Sequence, residues 1–451
     1  MAGERVTPAY ASGRRPWPAA PEPVVVTGLG LVCPLGVGVA KAWRAAREGR
    51  STARRIEDFE TDDLLTKIAC RVPDFDPQDW MSAREARRWD PTVQYAVAAA
   101  RQAADEAGLT SEAGGSADLR SIDPDRCGVL IGSGIGGLHT LHAGFEALIE
   151  RSAMRVSPIT GAMMIPDMAA GQVAIELGLR GPNFCVVSAC ATGSHAIGEA
   201  AEIIRRGDAD LMLAGASEAG VTRFGLAAFH RTGAMSTRND EPERASRPFD
   251  VDRDGFVMGE GAGVVVLESL SHALARGATP IAELAGYGAT ADAYHQTAPR
   301  EDGSGAAAAM RRAMTKAGVE PADIDYINAH GTGTQLNDAA EARAIRTVFG
   351  DAVAEVAVSS TKSMHGHCMG AAGGVEAVLT VLSLRDGILP PTINLDFLDP
   401  ACDLDVVAHV ARTPDRAPRM ALSNSFGFGG HNAALLLARF DGADGRPEPA
   451  R

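Results

Sequence analysis

The sequence has few aromatic residues, no closely paired cysteines and no long apolar run, and these shortages exclude several classes of protein. Phe, Trp and Tyr make up only 5% of the 451 residues. The seven cysteines are odd in number, scattered and without a C-x-x-C pair, which argues against a disulfide framework. No apolar stretch approaches the ~18 residues of a membrane-spanning helix, and the N-terminus lacks the apolar segment of a signal peptide. We therefore expect a cytoplasmic protein that does not bind membranes.

Acidic residues outnumber basic ones, which limits the partners of this chain. With 57 Asp and Glu against 43 Lys and Arg, the formal net charge is −14, and this argues against a general nucleic-acid binder. An acidic protein partner stays compatible, because docking needs only a local basic patch. Apolar residues make up 45% of the chain and glycines number 50, which is typical of a globular protein with many tight turns. The chain is long enough for two domains or two fused halves.

Short β-branched runs alternate with alanine-rich helical stretches, which indicates an α/β fold with a largely buried sheet. The fold is predicted to start with a buried strand over 24–30, after a disordered tail of residues 1–23. Further strands are predicted over 127–131, 211–213, 263–267, 324–328, 356–359 and 433–438. Helices are predicted over 93–107, 194–206, 306–317 and 339–348.

A change of pattern between residues 263 and 280 divides the chain. A valine-rich strand ends there, a short helix follows, and Gly277-Ala278 precedes a second series of strands and helices. The sequence thus predicts two halves of similar type, 24–275 and 276–440, with a loose C-terminus over 441–451. Residue identities alone do not prove that the halves are repeats.

Cys190 lies at a predicted strand-to-helix junction, in the run Val-Val-Ser-Ala-Cys-Ala-Thr-Gly-Ser-His. Residues 184–187 are predicted to form a buried strand before it. At the N-terminus of a helix the unpaired N–H groups and the helix dipole favour negative charge, so we expect the thiol to ionise more readily than usual. Small neighbours leave the sulfur approachable, as a nucleophile requires. Taken alone, a cysteine of this kind is more often a structural residue of the core.

Two histidines and a glycine-rich turn follow predicted strands in the C-terminal half. His330 stands in Asn-Ala-His-Gly-Thr-Gly-Thr, and His367 ends Ser-Thr-Lys-Ser-Met-His-Gly-His. The turn Asn-Ser-Phe-Gly-Phe-Gly-Gly-His-Asn over 424–432 can aim a backbone N–H into a site, as an oxyanion hole requires. A nucleophilic cysteine, two histidines on strand-end loops and a donor loop form a constellation for acyl transfer.

Together these motifs carry a family resemblance. From about residue 24 to 440 the chain closely resembles the β-ketoacyl-acyl-carrier-protein synthases of the two-histidine type, particularly the ketoacyl synthase II group. Ser-Arg-Pro-Phe-Asp at 246–250 and Pro-Pro-Thr-Ile-Asn at 390–394 extend the resemblance. It implies a thiolase-like α/β fold, in which two similar halves stack as five layers, αβαβα, with the site between them. It also implies a dimer.

The resemblance further implies roles for the motif residues. Cys190 would take the growing acyl chain from a carrier-protein thioester. His330 and His367 would bind the thioester carbonyl of the malonyl extender through neutral N–H donors and stabilise the enolate formed as carbon dioxide leaves. The carbanion would then attack the Cys190 thioester. Backbone N–H groups of Cys190 and Phe428 would hold the resulting oxyanion.

The resemblance also assigns roles to one lysine and to three acidic residues. Lys362 matches a lysine that orients the site and pairs with a glutamate, here Glu376. Asp338 and Glu341, three residues apart on one helical face, match an acidic pair behind the histidine loop.

The same resemblance predicts a pocket and a docking surface. Ile135 would be a gate for acyl chain length, and Phe426 would line the acyl pocket. Lys67 and Arg71 fall in a region where relatives present basic residues to the acidic acyl carrier protein, the expected partner. A solvated surface is the alternative interpretation for these two charges.

No metal and no nucleotide or redox cofactor is expected. His365-x-His367-Cys368 resembles one half of a metal site, but no second cluster completes a tetrahedral set, and His365 receives no role. Gly-Ser-Gly-Ile-Gly-Gly at 132–137 formally fits a dinucleotide pattern but lacks the acidic residue expected after the following strand.

Several related functions are alternatives to a ketoacyl synthase of this type. A thiolase would carry a second cysteine in the last glycine-rich loop, where this chain has Phe426 and Phe428. Ketoacyl synthase III would replace His367 by asparagine. A catalytic subunit of a type II polyketide synthase, paired with a chain-length factor, stays open. A non-catalytic partner subunit is the remaining alternative, although such chains lack the cysteine. The sequence leaves open fatty-acid or polyketide synthesis, and homodimer or heterodimer.

Overall fold

The computed structural model describes residues 22–110 and 122–442. The predicted tail of residues 1–23 lies outside these residues except for 22 and 23, and the predicted loose end over 441–451 lies outside them except for 441 and 442.

The strands of the described residues fall in both halves of the chain. They are β1 Val24–Cys33, β2 Gly36–Val37, β3 Ala53–Arg55, β4 Ile68–Cys70, β5 Cys127–Gly132, β6 Asn183–Phe184, β7 Leu211–Glu218, β8 Gly261–Ser269, β9 Ala282–Ala291, β10 Tyr326–Asn328, β11 Ala357–Ser359, β12 Met420–Gly427 and β13 His431–Arg439.

Helices alternate with these strands, as the sequence predicts. They are α1 Val39–Arg47, α2 Ala83–Ala86, α3 Pro91–Glu106, α4 Leu138–Glu150, α5 Thr160–Met163, α6 Met168–Leu177, α7 Thr192–Arg205, α8 Arg223–His230, α9 Leu270–Ala275, α10 Ser304–Ala317, α11 Gln335–Phe349, α12 Lys362–His365 and α13 Ala372–Asp386. Among the described residues, no helix is both long enough and apolar enough to span a bilayer.

One large sheet of the described residues has a symmetric strand order. Read across the sheet, the order is β6-β5-β7-β8-β1 and then β9-β13-β12-β10-β11, so each half arranges its strands in the mirror sequence of the other. The halves meet where β1 pairs with β9, at Val25 with Glu283 and Val26 with Ala282. Within each half, the strands nearest the site are parallel, β5 with β7 and β10 with β12. This symmetry shows a structural repeat that residue identities did not reveal.

The helices form the remaining layers around this sheet. Helices α7 and α13 pack against strands of both halves and therefore form the central layer. Because α13 is enclosed on every side, its residues from Ala372 to Leu384 are all buried. Helices α3 and α6 cover the outer face of the first half, and α10, with α11 beside it, covers the outer face of the second. The five-layer α/β arrangement is therefore confirmed.

The two halves repeat the same close contact between a strand and its outer helix. A Cβ atom on Gly30 of β1 would lie 1.8 Å from the Ala99 carbonyl oxygen of α3. A Cβ atom on Gly288 of β9 would lie 1.9 Å from the Ala309 carbonyl oxygen of α10. Glycine in the strand and alanine in the helix thus let the layers approach closely.

The predicted elements are present with one clear error. The buried strand predicted over 184–187 is wrong: only Asn183–Phe184 is a strand, and it lies at the end of the sheet order. Phe184 is 45% exposed and Val187 is 54% exposed. Phe184 and Val187 therefore do not face the core of this chain, whereas Val186 between them is partly buried against it.

Candidate active site

Cys190 lies in a tight turn that leads directly into α7. Residues Ala189–Ala191 form a single 3-10 turn, and α7 begins at Thr192. Ala189 has a φ of 51°, the left-handed region that is costly for a residue with a side chain. This backbone reversal places the Cys190 sulfur at the N-terminus of the helix, where the side chain is only 6% exposed.

The thiol of Cys190 does not ionise readily, contrary to the sequence-based expectation. Burial raises its pKa to about 11, although the nearby Lys362 ammonium and the backbone N–H of Phe428 act in the opposite direction. Burial disfavours the charged form more strongly than Lys362 and the nearby backbone N–H groups favour it. The free thiol is therefore neutral at physiological pH.

The second half contains a turn of the same shape next to the first. Met369–Ala371 forms a 3-10 turn before α13, and Met369 has a φ of 50°. The first turns of α7 and α13 touch, since a Cβ atom on Gly193 would lie 2.4 Å from the backbone nitrogen of Gly374. This contact brings the loop that carries His367 beside Cys190.

His330 and His367 meet across the cavity that Cys190 also lines. Their ring centroids are 5.4 Å apart and the rings are nearly perpendicular, at 87°. The cavity has a volume of about 270 Å³. Burial, followed by the positive charge of Lys362, lowers the pKa of both histidines well below the usual range. Both rings are therefore neutral, and each ring has one N–H that can donate a hydrogen bond to a carbonyl oxygen.

The acidic pair of α11 holds the backbone of the His330 loop. Glu341 accepts hydrogen bonds from the N–H groups of His330 at 2.9 Å and Gly331 at 2.7 Å. Asp338 accepts one from Gly333 at 3.2 Å. Burial raises the pKa of Glu341 to about 7. The two carboxylates support the loop and do not line the cavity.

Lys362 and Glu376 form a buried ion pair between the two histidine loops. Lys362 begins α12 and Glu376 lies in α13, and the ammonium donates a hydrogen bond to the carboxylate. Both side chains are almost completely buried. Because the Lys362 charge lowers the pKa of both His330 and His367, it acts on the two rings together.

The glycine-rich turn approaches the Cys190 turn through its backbone. Phe426, Gly427 and Phe428 line the cavity, and the N–H of Phe428 points at the Cys190 thiol. A Cβ atom on Gly427 would lie 3.0 Å from the Cys190 nitrogen, so only glycine fits there. The Phe426 ring lies 5.7 Å from that of His330. The backbone N–H groups of Phe428 and Cys190 both act on the thiol and lower its pKa against the effect of burial.

The predicted gate and docking residues lie outside this cluster. Ile135 is half-buried and is not among the residues that line the cavity. Arg71 pairs with Asp58 and lies 3.5 Å from Glu260. Lys67 is half-buried, and its ammonium lies 3.4 Å from the carbonyl oxygen of Asp62. The roles given to these three residues stay predictions.

His365 is part of the core beneath the site. It is fully buried, its Nε2 lies 3.0 Å from Thr361 Oγ1, and burial lowers its pKa to about 3. Its Nδ1 faces the Cys368 sulfur at 3.8 Å. In the described ranges no three His, Cys, Asp or Glu side chains are arranged to hold a metal ion.

Two residues near the cavity were missed from the sequence. Phe256 packs its ring edgewise on His367, with centroids 5.4 Å apart, and it stands in the run Asp-Gly-Phe-Val-Met-Gly-Glu-Gly at 254–261. Glu218 ends the buried strand β7 and binds the loop of residues 133–135. A carboxylate at the end of an apolar strand was the available signal.

Two models of one protein family match most of this chain. The family model described as "Beta-ketoacyl synthase, N-terminal domain" matches residues 21–273, and "Beta-ketoacyl synthase, C-terminal domain" matches residues 281–396. This chain belongs to the β-ketoacyl synthase family. One relative of this β-ketoacyl synthase is 3-oxoacyl-[acyl-carrier-protein] synthase 2 of Rhizobium meliloti (strain 1021). It is 50% identical over 427 residues, covering 93% of this chain and 99% of that protein.

Solved structures of ketosynthases share the fold of this β-ketoacyl synthase. The ishigamide ketosynthase/chain length factor superposes with a TM-score of 0.84 at 39% identity, over 93% of this chain and 100% of that one. A type II polyketide ketosynthase, bound to its acyl-carrier protein and to a hexaketide, gives 0.85 at 33% identity, with the same coverage. The fold is therefore thiolase-like.

Proposed function

We propose that this chain catalyses the decarboxylative Claisen condensation of an acyl thioester with malonyl-acyl-carrier protein, through an acyl-Cys190 intermediate. The observation that carries the proposal is the meeting of Cys190, His330 and His367 on one cavity, with the Phe428 N–H directed at the sulfur. Family membership and 50% identity to a 3-oxoacyl-[acyl-carrier-protein] synthase support the same chemistry. The chain is thus an acyltransferase.

In the first step the acyl chain moves to Cys190. The sulfur attacks the carrier thioester carbonyl, and the N–H groups of Cys190 and Phe428 stabilise the oxyanion. When this tetrahedral intermediate collapses, the carbon–sulfur bond to the carrier breaks and the new bond to Cys190 stays. The proton of the Cys190 thiol is transferred to the carrier sulfur. Because burial keeps the free thiol neutral, the thiol proton has to leave the sulfur during this attack.

In the second step the two histidines act on the malonyl thioester. Neutral N–H donors on His330 and His367 bind its carbonyl oxygen, and this oxygen takes up the charge released as carbon dioxide leaves. The resulting carbanion attacks the acyl-Cys190 carbonyl. Collapse of the oxyanion releases the 3-ketoacyl carrier and restores the Cys190 thiol, with one proton taken up. Lys362 and Glu376 would keep the two rings in place between their loops.

Intact-protein mass spectrometry of the purified chain tests this function. The chain is incubated with acyl-carrier proteins of graded acyl length and with malonyl-carrier protein, and we expect acylation of Cys190 and 3-ketoacyl products two carbons longer. Cys190→Ala should abolish both. Cys185→Ala, which changes a cysteine outside the cavity lining, is the matched control and should keep both. Turnover by Cys190→Ala would overturn the proposal.

A second candidate is a catalytic subunit that needs a chain-length-factor partner. The structural likeness to a ketosynthase/chain length factor favours it. The same experiment separates the two, because acylation without elongation in the absence of a partner would support the second candidate. A chain that is never acylated would support a non-catalytic role.

We propose acyl carrier protein as the partner, and two basic surfaces are candidates for docking. The first is Lys67 with Arg71, although Arg71 already pairs with two carboxylates. The second consists of the exposed arginines in and after α2, namely Arg84, Arg87 and Arg88. Because these three arginines are exposed, an acidic carrier protein can approach their charges directly. Charge reversal of each set, followed by measurement of KM for the carrier, identifies the surface.

We also propose a dimer built on the exposed edge of the sheet. One edge of β6 pairs with no strand among the described residues, and apolar Phe184 and Val187 are exposed beside it. Helix α4, in the same half, has only Leu138 buried. A two-fold axis at this edge would cover apolar surface and continue the sheet.

All seven cysteines are free thiols, which supports a reducing, cytoplasmic location.

A further inference from the structure

Glu218 is a fully buried carboxylate that no step above uses. It ends β7, and its four hydrogen-bond donors are all neutral. Its Oε1 accepts from the Ser133 hydroxyl at 2.8 Å and from the Ile135 N–H at 3.2 Å. Its Oε2 accepts from the Gly134 N–H at 2.7 Å and from the Gly370 N–H at 3.1 Å. One side chain therefore holds two loops that are far apart in the sequence.

The two loops belong to opposite halves and meet at Glu218. The segment Ser133–Ile135 follows β5, whereas Gly370 follows Met369, which lines the cavity. The loops touch directly, since a Cβ atom on Gly370 would lie 2.3 Å from the Gly134 nitrogen. Glu218 thus fixes one wall of the cavity against the segment that carries Ile135.

Glu341 provides the same kind of support on the other side of the site. It accepts hydrogen bonds from two consecutive N–H groups after β10, as Glu218 does after β5. These strands occupy matching places in the symmetric sheet. Burial raises the pKa of both carboxyls to about 7. A buried carboxylate thus holds the loop after each of these two strands, from helix α11 in one half and from strand β7 in the other.

We propose that Glu218 is a positioning residue that sets the acyl-chain length which the site accepts, an inference that rests on the proposed function. By anchoring the backbone of Ile135, it keeps that side chain close to Gly220, where a Cβ atom would lie 3.6 Å from Ile135 Cδ1. The chain-length gate that the family resemblance predicts at Ile135 then depends on this anchoring. A glutamine at 218 has a single acceptor oxygen, so it loses part of this anchoring and directs N–H donors at N–H donors.

The test compares kcat/KM for myristoyl- and hexanoyl-carrier protein in Glu218→Gln. The loosened gate should raise the ratio of long-chain to short-chain kcat/KM by about tenfold, whereas malonyl decarboxylation should change little. In an Ile135→Ala background the same substitution should leave the ratio unchanged, because Glu218 acts through that side chain. An unchanged ratio in Glu218→Gln would overturn the inference.

Two further variants separate positioning from general loss of stability. Glu268→Gln alters another fully buried glutamate, on the neighbouring strand β8, which binds Thr27, His272 and Arg276 instead of the site. It should lower Tm without changing the length ratio, and an equal change in ratio would refute the inference. If Glu218→Gln does not fold, Ser133→Ala removes one donor and should raise the ratio in the same direction. No shift in a folded Ser133→Ala would also refute it. Failure of the wild type to acylate Cys190 would instead refute the proposed function.

Discussion

At the level of single residues, burial decides the charge state of the catalytic groups. It raises the pKa of the Cys190 thiol and lowers the pKa of both histidines. All three groups are therefore neutral near pH 7, and the Lys362 charge adds to this effect at the histidines. A neutral site suits a reaction in which charge appears only on the substrate oxygens.

Removing either histidine should separate the two half-reactions. In His330→Ala and His367→Ala, Cys190 should still be acylated, while malonyl decarboxylation should fall on the order of 10²-fold because a donor to the enolate oxygen is lost. Mass spectrometry of the acyl-enzyme and carbon dioxide release measure the two steps. His142→Ala, a half-exposed histidine on α4, is the control. Normal condensation in both variants would contradict the two-histidine mechanism.

The raised pKa of Cys190 predicts the pH dependence of its alkylation. Since the thiolate is the reactive form and its pKa is about 11, the rate with iodoacetamide should rise by about tenfold per pH unit between pH 7 and 9. Cys190→Ala provides the background rate from the other thiols. A rate that is already constant at neutral pH would show that the helix N-terminus outweighs burial after all.

At the level of elements, the sequence predicts the helices and strands that have a clear local pattern of apolar residues. The predicted helix over 306–317 is α10, Ser304–Ala317, and the predicted strand over 263–267 is the centre of β8. The predicted start of β10 at 324 is two residues early, because a 3-10 turn over Pro321–Asp323 comes first. The strand over 184–187 was wrong, because an apolar run does not tell whether it is covered by its own chain.

The crossing of α7 and α13 predicts a different effect for two helical glycines. Gly193→Ala would place a methyl group against the backbone of Gly374, so it should lower the free energy of unfolding by about 1–3 kcal/mol. It should also slow Cys190 acylation, because α7 carries the Cys190 turn. Thermal denaturation and mass spectrometry measure these effects.

Gly171→Ala in α6 is the matched control for this substitution. There, within the described part of the chain, the new methyl group would meet only the Met168 sulfur, at 3.9 Å. Helix propensity should therefore increase stability by about 0.5–1 kcal/mol. Equal effects of the two substitutions would show that the helix crossing is not the constraint.

At the level of the whole molecule, the sequence predicts the site better than the contacts around it. Cys190, His330 and His367 were found because each loop carries its own motif. The four hydrogen bonds of Glu218 could not be predicted from the sequence, because they join β7 to residues that are distant in the chain. Ser133 and Gly370, for example, lie 85 and 152 positions away. The strand symmetry was hidden for the same reason, because it exists only between folded halves.

The exposed edge at β6 predicts the oligomeric state. Phe184→Glu combined with Val187→Glu should convert a dimer into a monomer, because like charges would face each other across a two-fold axis. Sedimentation velocity measures the change. Val410→Glu alters a valine that is 74% exposed elsewhere, and it should leave the dimer intact. A dimer that survives the double substitution would place the interface at another surface.

The pairing of β1 also has a consequence for synthesis on the ribosome. All ten residues of β1 are buried in the folded protein, and Val24 pairs with Ser269 of β8. At roughly 5–20 residues per second, translation of the intervening chain takes on the order of 10 to 50 s. During that time an apolar strand has left the ribosome without either of its long partners. Its protection by chaperones, and the speed of translation through the first half, therefore govern how much of the newly made chain escapes aggregation.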